Sequence, residues 1–489
     1  MKSRRLVSLV ALALVSLPLA AQEGPAAAPS PSEVALPGAI VTAHSGTFNG
    51  KKLKYSATVE PIVVTGLDGK PAARLVAISY VAKSAAPGRP VLFVFNGGPI
   101  SASYILHMGA FGPKRVAVPD DIAAPASSFQ LVDNPYTLLD VADLVFFDPA
   151  GTGLSRILPG VDPESQFGTV ADSRQLASLV IEWTKAHGRT DAPIYLVGES
   201  YGTMRAPEAA RQLSEAGVNV DGLVLLGQAV NIVEYAQRRA NILSYAVSLP
   251  TLAAIAWSHG KANAKGRTFE QFTDDAKRFA GEGYLPTLYK GNKASIEEQR
   301  EVAAKLQEFT GLPAEWYLAN QLRITKVDYQ KTLLPGQRLA TNDARYAGPA
   351  TGPDPFEHVP ASYASLFKAY LAKDLQAGAV GDYVTTSPYT GGLNGWEWGP
   401  NKSPFGDWPL ARPIGDLFQK NPDFRLFVGN GWTDTQTTVG AMDYLVSQHE
   451  WPRERVRSVT YTGGHMPYTI EASLKAFTSD VRAMVERKW

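Results

Sequence analysis

Gly198-Glu199-Ser200-Tyr201-Gly202 constrains the fold of this chain more than any other stretch. It follows the apolar run Ile194-Tyr195-Leu196-Val197 and precedes Met204-Arg205-Ala206, which reads as the start of a helix. Strand, sharp turn and helix around G-x-S-x-G form the context of a nucleophile elbow. There the serine is held in a strained backbone conformation that lifts its hydroxyl above the sheet edge. Glycines flank it because a Cβ atom would crowd the turn. Ser200 is therefore the candidate nucleophile.

A serine hydroxyl attacks a carbonyl only if a base takes its proton, and the base must itself be oriented. In an elbow hydrolase the partners follow in the order Ser, Asp or Glu, His. Four of the seven histidines lie beyond Ser200. His259 and His358 fall in an irregular middle region, and His449 sits in the polar stretch Ser447-Gln448-His449-Glu450. His465 follows the β-rich Val459-Thr460-Tyr461-Thr462 and the turn Gly463-Gly464, where a loop would hang a base over a sheet edge. The acid is sought before it. Phe424 to Val428 reads as a buried strand, then come Gly429-Asn430-Gly431 and Trp432-Thr433-Asp434. Asp434 stands just past that strand end and is the candidate acid, in a position that also suits a helix N-cap.

Buried strands are expected at Val91–Phe95, Asp143–Phe147 and Leu223–Leu226, and further strands at Ala57–Val64 and Leu75–Ala82. Helical patterns lie between, at Asp172–His187 and Ala206–Glu215. That alternation predicts an α/β fold with a mostly parallel sheet covered by helices on both faces. It stops near Asn231 and resumes near Asp423. Residues 46–230 and 423–489 are thus expected to form the core, and 231–422 a large cap insertion. Within the insertion Phe269–Gly281 and Ser295–Thr310 look helical. Trp396, Trp398, Phe405 and Trp408 are candidates for an apolar pocket or for plain core.

Lys and Arg number 47 and Asp and Glu 46, so no global field points to nucleic acid or an anionic surface. The basic opening Met1-Lys2-Ser3-Arg4-Arg5, an apolar run from Leu6 to Leu19 and Ala20-Ala21 read as a signal peptide over 1–21. That run is short for a membrane span. Residues 22–45, rich in Pro and Ala, read as a disordered leader. A periplasmic or secreted protein is expected, with no membrane anchor after cleavage. The absence of cysteine rules out disulfides and thiolate metal sites. No H-E-x-x-H and no phosphate-cradling glycine loop is present, so neither a metal nor another cofactor is expected.

Phe95-Asn96-Gly97-Gly98-Pro99 leaves a buried strand ahead of the elbow. A loop at that place supplies one oxyanion-hole N–H, and the residue after the nucleophile supplies the other. Gly98 and Tyr201 are the expected donors. With Phe111-Gly112-Pro113, Phe147 to Ser155, Gly429 to Asp434 and Gly463-Gly464-His465-Met466, these motifs occur in an order that resembles the serine carboxypeptidase family of α/β-hydrolase peptidases. The resemblance implies that Asn96, Gly97 and Glu199 hold the free C-terminal carboxylate of a peptide substrate. A protonated Glu donates a hydrogen bond to a carboxylate and an ionised one repels it, so activity is expected to be strongest at acidic pH. The chain departs from the family pattern at Val94, where a tryptophan is usual, and at Ile100-Ser101, which replaces Gly-Cys. An esterase or acyltransferase on the same fold would use the same triad and oxyanion hole.

Overall fold

The computed structural model describes residues 38–83, 88–232, 234–387, 395–399, 408 and 410–489. The expected signal peptide, most of the expected leader and Phe405 lie outside them.

The sheet begins with antiparallel strands β1 (Ile40–Phe48), β2 (Lys51–Thr65) and β3 (Pro71–Ala82). A two-residue hairpin, Asn49-Gly50, joins the first two, both with positive φ (47° and 78°). Asn-Gly adopts that geometry readily, and its twist suits the flanking strands. The leader expected to reach residue 45 is corrected here. From Ile40 onward the chain is strand, in register with β2 from Ile40 opposite Val59 to Phe48 opposite Lys51. Thr42 and Phe48 turn inward, which holds the segment down despite the polar residues around them.

Six strands then form the parallel part: β4 (Val91–Phe95), β5 (Asp143–Phe147), β6 (Ile194–Glu199), β7 (Gly222–Leu226), β8 (Arg425–Gly431) and β9 (Val456–Tyr461). The spatial order is β1-β2-β3-β5-β4-β6-β7-β8-β9, with β3 antiparallel to β5. The short strand Arg156–Ile157 pairs with β3 off this path.

Helix α1 (Thr169–Ala186) precedes β6 and α2 (Gly202–Glu215) follows it. Between Leu226 and Arg425 the chain forms, among others, α3 (Leu243–Ser258), α4 (Phe269–Phe279), α5 (Ile296–Thr310) and α6 (His358–Lys373). A reciprocal capping box between Thr268 and Gln271 starts α4. Helices α7 (Val439–Ser447) and α8 (Glu471–Val485) flank β9 in sequence.

Alternation along the strands divides the core in two. Leu92, Val94, Leu144, Phe146, Val197 and Phe427 face one layer, which includes Phe477 and Met484 of α8. Phe93, Phe95, Val145, Phe147, Leu196 and Val428 face the other, against Leu176 and Trp183 of α1 and Leu213 of α2. Leu249, Leu252, Phe272, Leu306, Phe309 and Tyr329 build a separate core within the long connection. From α6, Tyr363 and Phe367 pack instead onto the first layer. Among the described residues no helix is long and apolar enough to cross a membrane.

Phe93 is fully buried in β4 and meets Trp183 edge-on, with ring centroids 5.8 Å apart. Truncation there leaves a cavity between sheet and helix. Phe93→Ala is expected to lower unfolding stability by about 3–5 kcal/mol, read from urea denaturation.

Candidate active site

Ser200 occupies the junction of β6 and α2 with φ +58°, the left-handed region that a non-glycine residue enters at a cost. Its N–H donates to the carbonyl of Leu226 at the end of β7 (2.9 Å). The Thr203 hydroxyl donates to the Ser200 carbonyl (2.6 Å). A Cβ on Gly198 would collide with the Gly202 carbonyl, which is why this turn needs glycine. Ser200 is partly exposed, and its hydroxyl has no hydrogen bond to a described residue.

His465 and Asp434 meet at the carboxyl ends of β9 and β8. His465 Nδ1 lies 2.7 Å from Asp434 Oδ2. Asp434 is fully buried and also accepts from Thr437 Oγ1 (2.6 Å), the Thr437 N–H (3.1 Å) and the Gln436 N–H (2.8 Å). These donors lock the carboxylate, and the carboxylate fixes the imidazole with Nε2 as its remaining nitrogen. Burial disfavours the imidazolium, but the Asp434 charge and hydrogen bond, with the charge of Glu199, outweigh it and raise His465 to about 9. Gly227 leaves room for the imidazole at the end of β7. It follows Leu226, the acceptor of the Ser200 N–H, and a Cβ there would stand 2.9 Å from His465 Cε1. The other downstream histidines are spent on backbone carbonyls: His259 on Ala344, His358 on Pro355 and His449 on Leu445.

The Asn96–Pro99 loop lies directly against the elbow. A Cβ on Gly97 would come 2.5 Å from the Tyr201 nitrogen and 2.7 Å from the Glu199 carbonyl oxygen. Neither the Gly98 nor the Tyr201 N–H donates to another described residue. Asn96 Nδ2 donates to Glu199 Oε1 (2.9 Å), while Asn96 Oδ1 accepts the Leu106 N–H (2.9 Å), which fixes the amide orientation. Glu199 is buried, and burial pushes its carboxyl up to about 7 against the favourable charge of His465 and hydrogen bonds from Tyr468 and Asn96. Ile100, where the family pattern has glycine, sits at φ +59°. A β-branched residue there is strained, and the loop holds it by the Ser387 N–H to the Ile100 carbonyl (3.0 Å).

Under the elbow Arg205 is fully buried. Its Nε donates to Asp172 Oδ2 (2.6 Å) and its Nη1 to the Asn96 carbonyl (2.6 Å). The Tyr201 hydroxyl also donates to Asp172 (3.0 Å), so the Tyr201 ring points down and only its amide is left at the surface of the elbow. Trp396 is buried edge-on to that ring, 5.4 Å between centroids, and Trp398 stands 6.1 Å from it. Trp408 donates to the Val230 carbonyl (2.5 Å).

Several supports escaped the sequence reading. Thr437 lies three residues after Asp434, a spacing that fits a local Asx-type turn and could have been read. Asn342, whose carbonyl takes the His465 N–H (2.6 Å), and Tyr468, whose hydroxyl donates to Glu199 Oε2 (2.6 Å), carry no local signal. Among the described residues no group of three or more His, Asp or Glu is arranged to hold a metal ion. A partly exposed serine, an oriented imidazole and two backbone N–H groups that donate to no described residue can together support acyl transfer.

A methyl group on Gly97 would crowd the Tyr201 amide. Gly97→Ala is expected to slow phosphonylation of Ser200 by a fluorophosphonate by about 10²–10³, the usual effect of losing one oxyanion donor. The fold should be retained by circular dichroism.

The profile of the serine carboxypeptidase family matches residues 79–339, more than half of the chain. The matched stretch contains Asn96–Pro99 and Gly198–Gly202 and ends before Asp434 and His465. The chain is similar to Serine carboxypeptidase-like 8 of Arabidopsis thaliana, 24% identical over 172 residues. That match covers 33% of this chain and only 37% of the relative's length. Among solved structures, the crystal structure of Kex1(delta)p, a prohormone-processing carboxypeptidase from Saccharomyces cerevisiae, aligns with a TM-score of 0.53 at 14% identity. It covers 89% of this chain and 92% of that one. At that identity the likeness is one of fold, and the fold is the α/β-hydrolase one, as the resemblance implied.

Proposed function

The chain belongs to the serine carboxypeptidase family, and from that premise we propose that it releases C-terminal residues from peptides through an acyl-enzyme on Ser200. His465 Nε2 takes the Ser200 proton as Oγ attacks the scissile carbonyl carbon. Asp434 keeps the imidazole in the tautomer that can accept it. The oxyanion of the tetrahedral intermediate is held by the Gly98 and Tyr201 N–H groups. His465 then gives its proton to the leaving amine, and the C-terminal residue departs. A water, deprotonated by the same imidazole, cleaves the ester and restores Ser200.

The observation that carries the carboxypeptidase reading is the buried Glu199 carboxyl joined to Asn96 beside the nucleophile (2.9 Å). An esterase needs no carboxylate partner at this place. A peptide C-terminus does, and Asn96, the Gly97 N–H and a protonated Glu199 are donors for it. Glu199 is raised to about 7, so it is neutral and donating below that pH and repels a carboxylate above it. Protonation of Glu199 also removes one of the two negative charges that favour the His465 imidazolium. The proton that readies the clamp therefore moves the base toward its neutral, working form.

The opening Met1-Lys2-Ser3-Arg4-Arg5, the apolar run to Leu19 and Ala20-Ala21 support export behind a cleaved signal peptide. Periplasmic or secreted residence is proposed on that basis, with peptides bearing a free C-terminus as substrates.

The test pairs a blocked dipeptide bearing a free C-terminal carboxylate with its C-terminal amide, assayed from pH 4 to 8. The free acid is expected to be preferred, with the ratio of its kcat/KM to that of the amide falling as pH rises through about 7. Ser200→Ala is expected to lose roughly 10⁶ in kcat. Glu199→Gln, which keeps a donor at every pH, should flatten the fall above neutrality. Ser200-dependent cleavage of simple esters without peptide cleavage would replace this reading with an esterase, and an unchanged pH optimum in Glu199→Gln would remove Glu199 from the clamp.

A further inference from the structure

Tyr468 lies three residues beyond His465, in the short helical turn Pro467–Thr469. It is buried, and its hydroxyl donates to Glu199 Oε2 at 2.6 Å. A place is built for its ring: Gly109 packs flat against it, and a Cβ there would run into the ring carbons. On the other side of the carboxyl, Asn96 can only donate to Glu199 Oε1, because its Oδ1 is occupied by the Leu106 N–H. Glu199 is thus gripped at both oxygens, once from the β4 loop and once from the histidine loop.

The geometry points to Tyr468 as a positioning residue that fixes the Glu199 carboxyl beside Asn96 and sets the pH above which a free peptide C-terminus is no longer bound. This rests on the reading of Glu199 as part of the carboxylate clamp. The charged and titratable groups around Glu199 are His465 and Tyr468 on the loop after β9, Asp434 on the loop after β8, and Tyr363 on α6. His465 favours the ionised carboxyl, and Asp434 opposes it. Tyr468 is the one phenol among them bonded to Glu199. Burial, then the charge of Glu199, holds its hydroxyl far above the usual tyrosine range, so it stays a donor throughout the working pH range. A phenol donating to a carboxylate favours the ionised form, so Tyr468 opposes protonation of the clamp. Loss of that donor lets Glu199 keep its proton to higher pH.

The experiment compares the wild-type protein with Tyr468→Phe and with 3-fluorotyrosine incorporated at 468, a stronger donor of nearly the same volume. All three are assayed on the free-acid and amide dipeptides from pH 4 to 9. Rates are normalised to sites titrated with a fluorophosphonate. For the free acid, the descending limb of kcat/KM is expected to move up by about one pH unit in Tyr468→Phe, through KM rather than kcat, as suits one hydrogen bond to a charged group. It should move down with 3-fluorotyrosine, each shift being read relative to the amide profile, which carries any accompanying change at His465. If Tyr468→Phe does not yield titratable sites, the fluorinated protein decides alone. A wild type that prefers the free acid, with variants whose limb does not move, overturns the role of Tyr468 and leaves the clamp standing. A wild type that treats acid and amide alike overturns the clamp, and this inference with it.

Discussion

One buried guanidinium underlies the whole site. Arg205 has no exposed surface, yet its donors reach Asp172 on α1 and the Asn96 carbonyl on the loop after β4. Its Cζ lies 5.2–5.3 Å from the ring centroids of Phe95, Phe147 and Tyr201. A charge so buried survives only when its partners are in place, and removing one of them typically costs about 3–5 kcal/mol. The flat fork of arginine suits this place because it bonds in its plane and stacks on its faces. A lysine carries its donors on one point and has no flat face to stack. The Gly198–Gly202 turn, α1 and the loop after β4 are therefore held in one relation.

Above that base the site is a matter of loops at the carboxyl ends of parallel strands. β4, β6, β8 and β9 each end where a functional group begins: Asn96, Ser200, Asp434 and His465. Strands β6 and β7 run side by side, so the Ser200 N–H can bond Leu226 while Gly227 gives the imidazole room. The site thus needs no single long motif, only four strand ends in register.

This explains what could be read from the sequence. Val91–Phe95 and Asp143–Phe147 are buried on both faces and appear as unbroken apolar runs, and Gly198–Gly202 is dictated by backbone contact within five residues. Asp434 and His465 followed from chain order and the glycines before them. The Ile40–Ser45 part of β1 reads as leader because its buried residues are few and set among polar ones. Its Asn49-Gly50 turn was the signal that could have recovered it. The Asn342 carbonyl and the Tyr468 hydroxyl were illegible for another reason. They act on residues 123 and 269 positions away in sequence, and nothing in their own neighbourhood records that partner.

The carbonyl of Asn342 belongs to the long connection between β7 and β8, most of whose helices have a hydrophobic core of their own. The same short stretch accepts the Thr435 hydroxyl at the Thr341 carbonyl (2.6 Å) and receives the Thr433 hydroxyl at Asp343 (2.7 Å). This part of the connection is therefore riveted to the loops that carry Asp434 and His465. A chimera that imports another relative's connection is expected to import, or forfeit, the alignment of that pair.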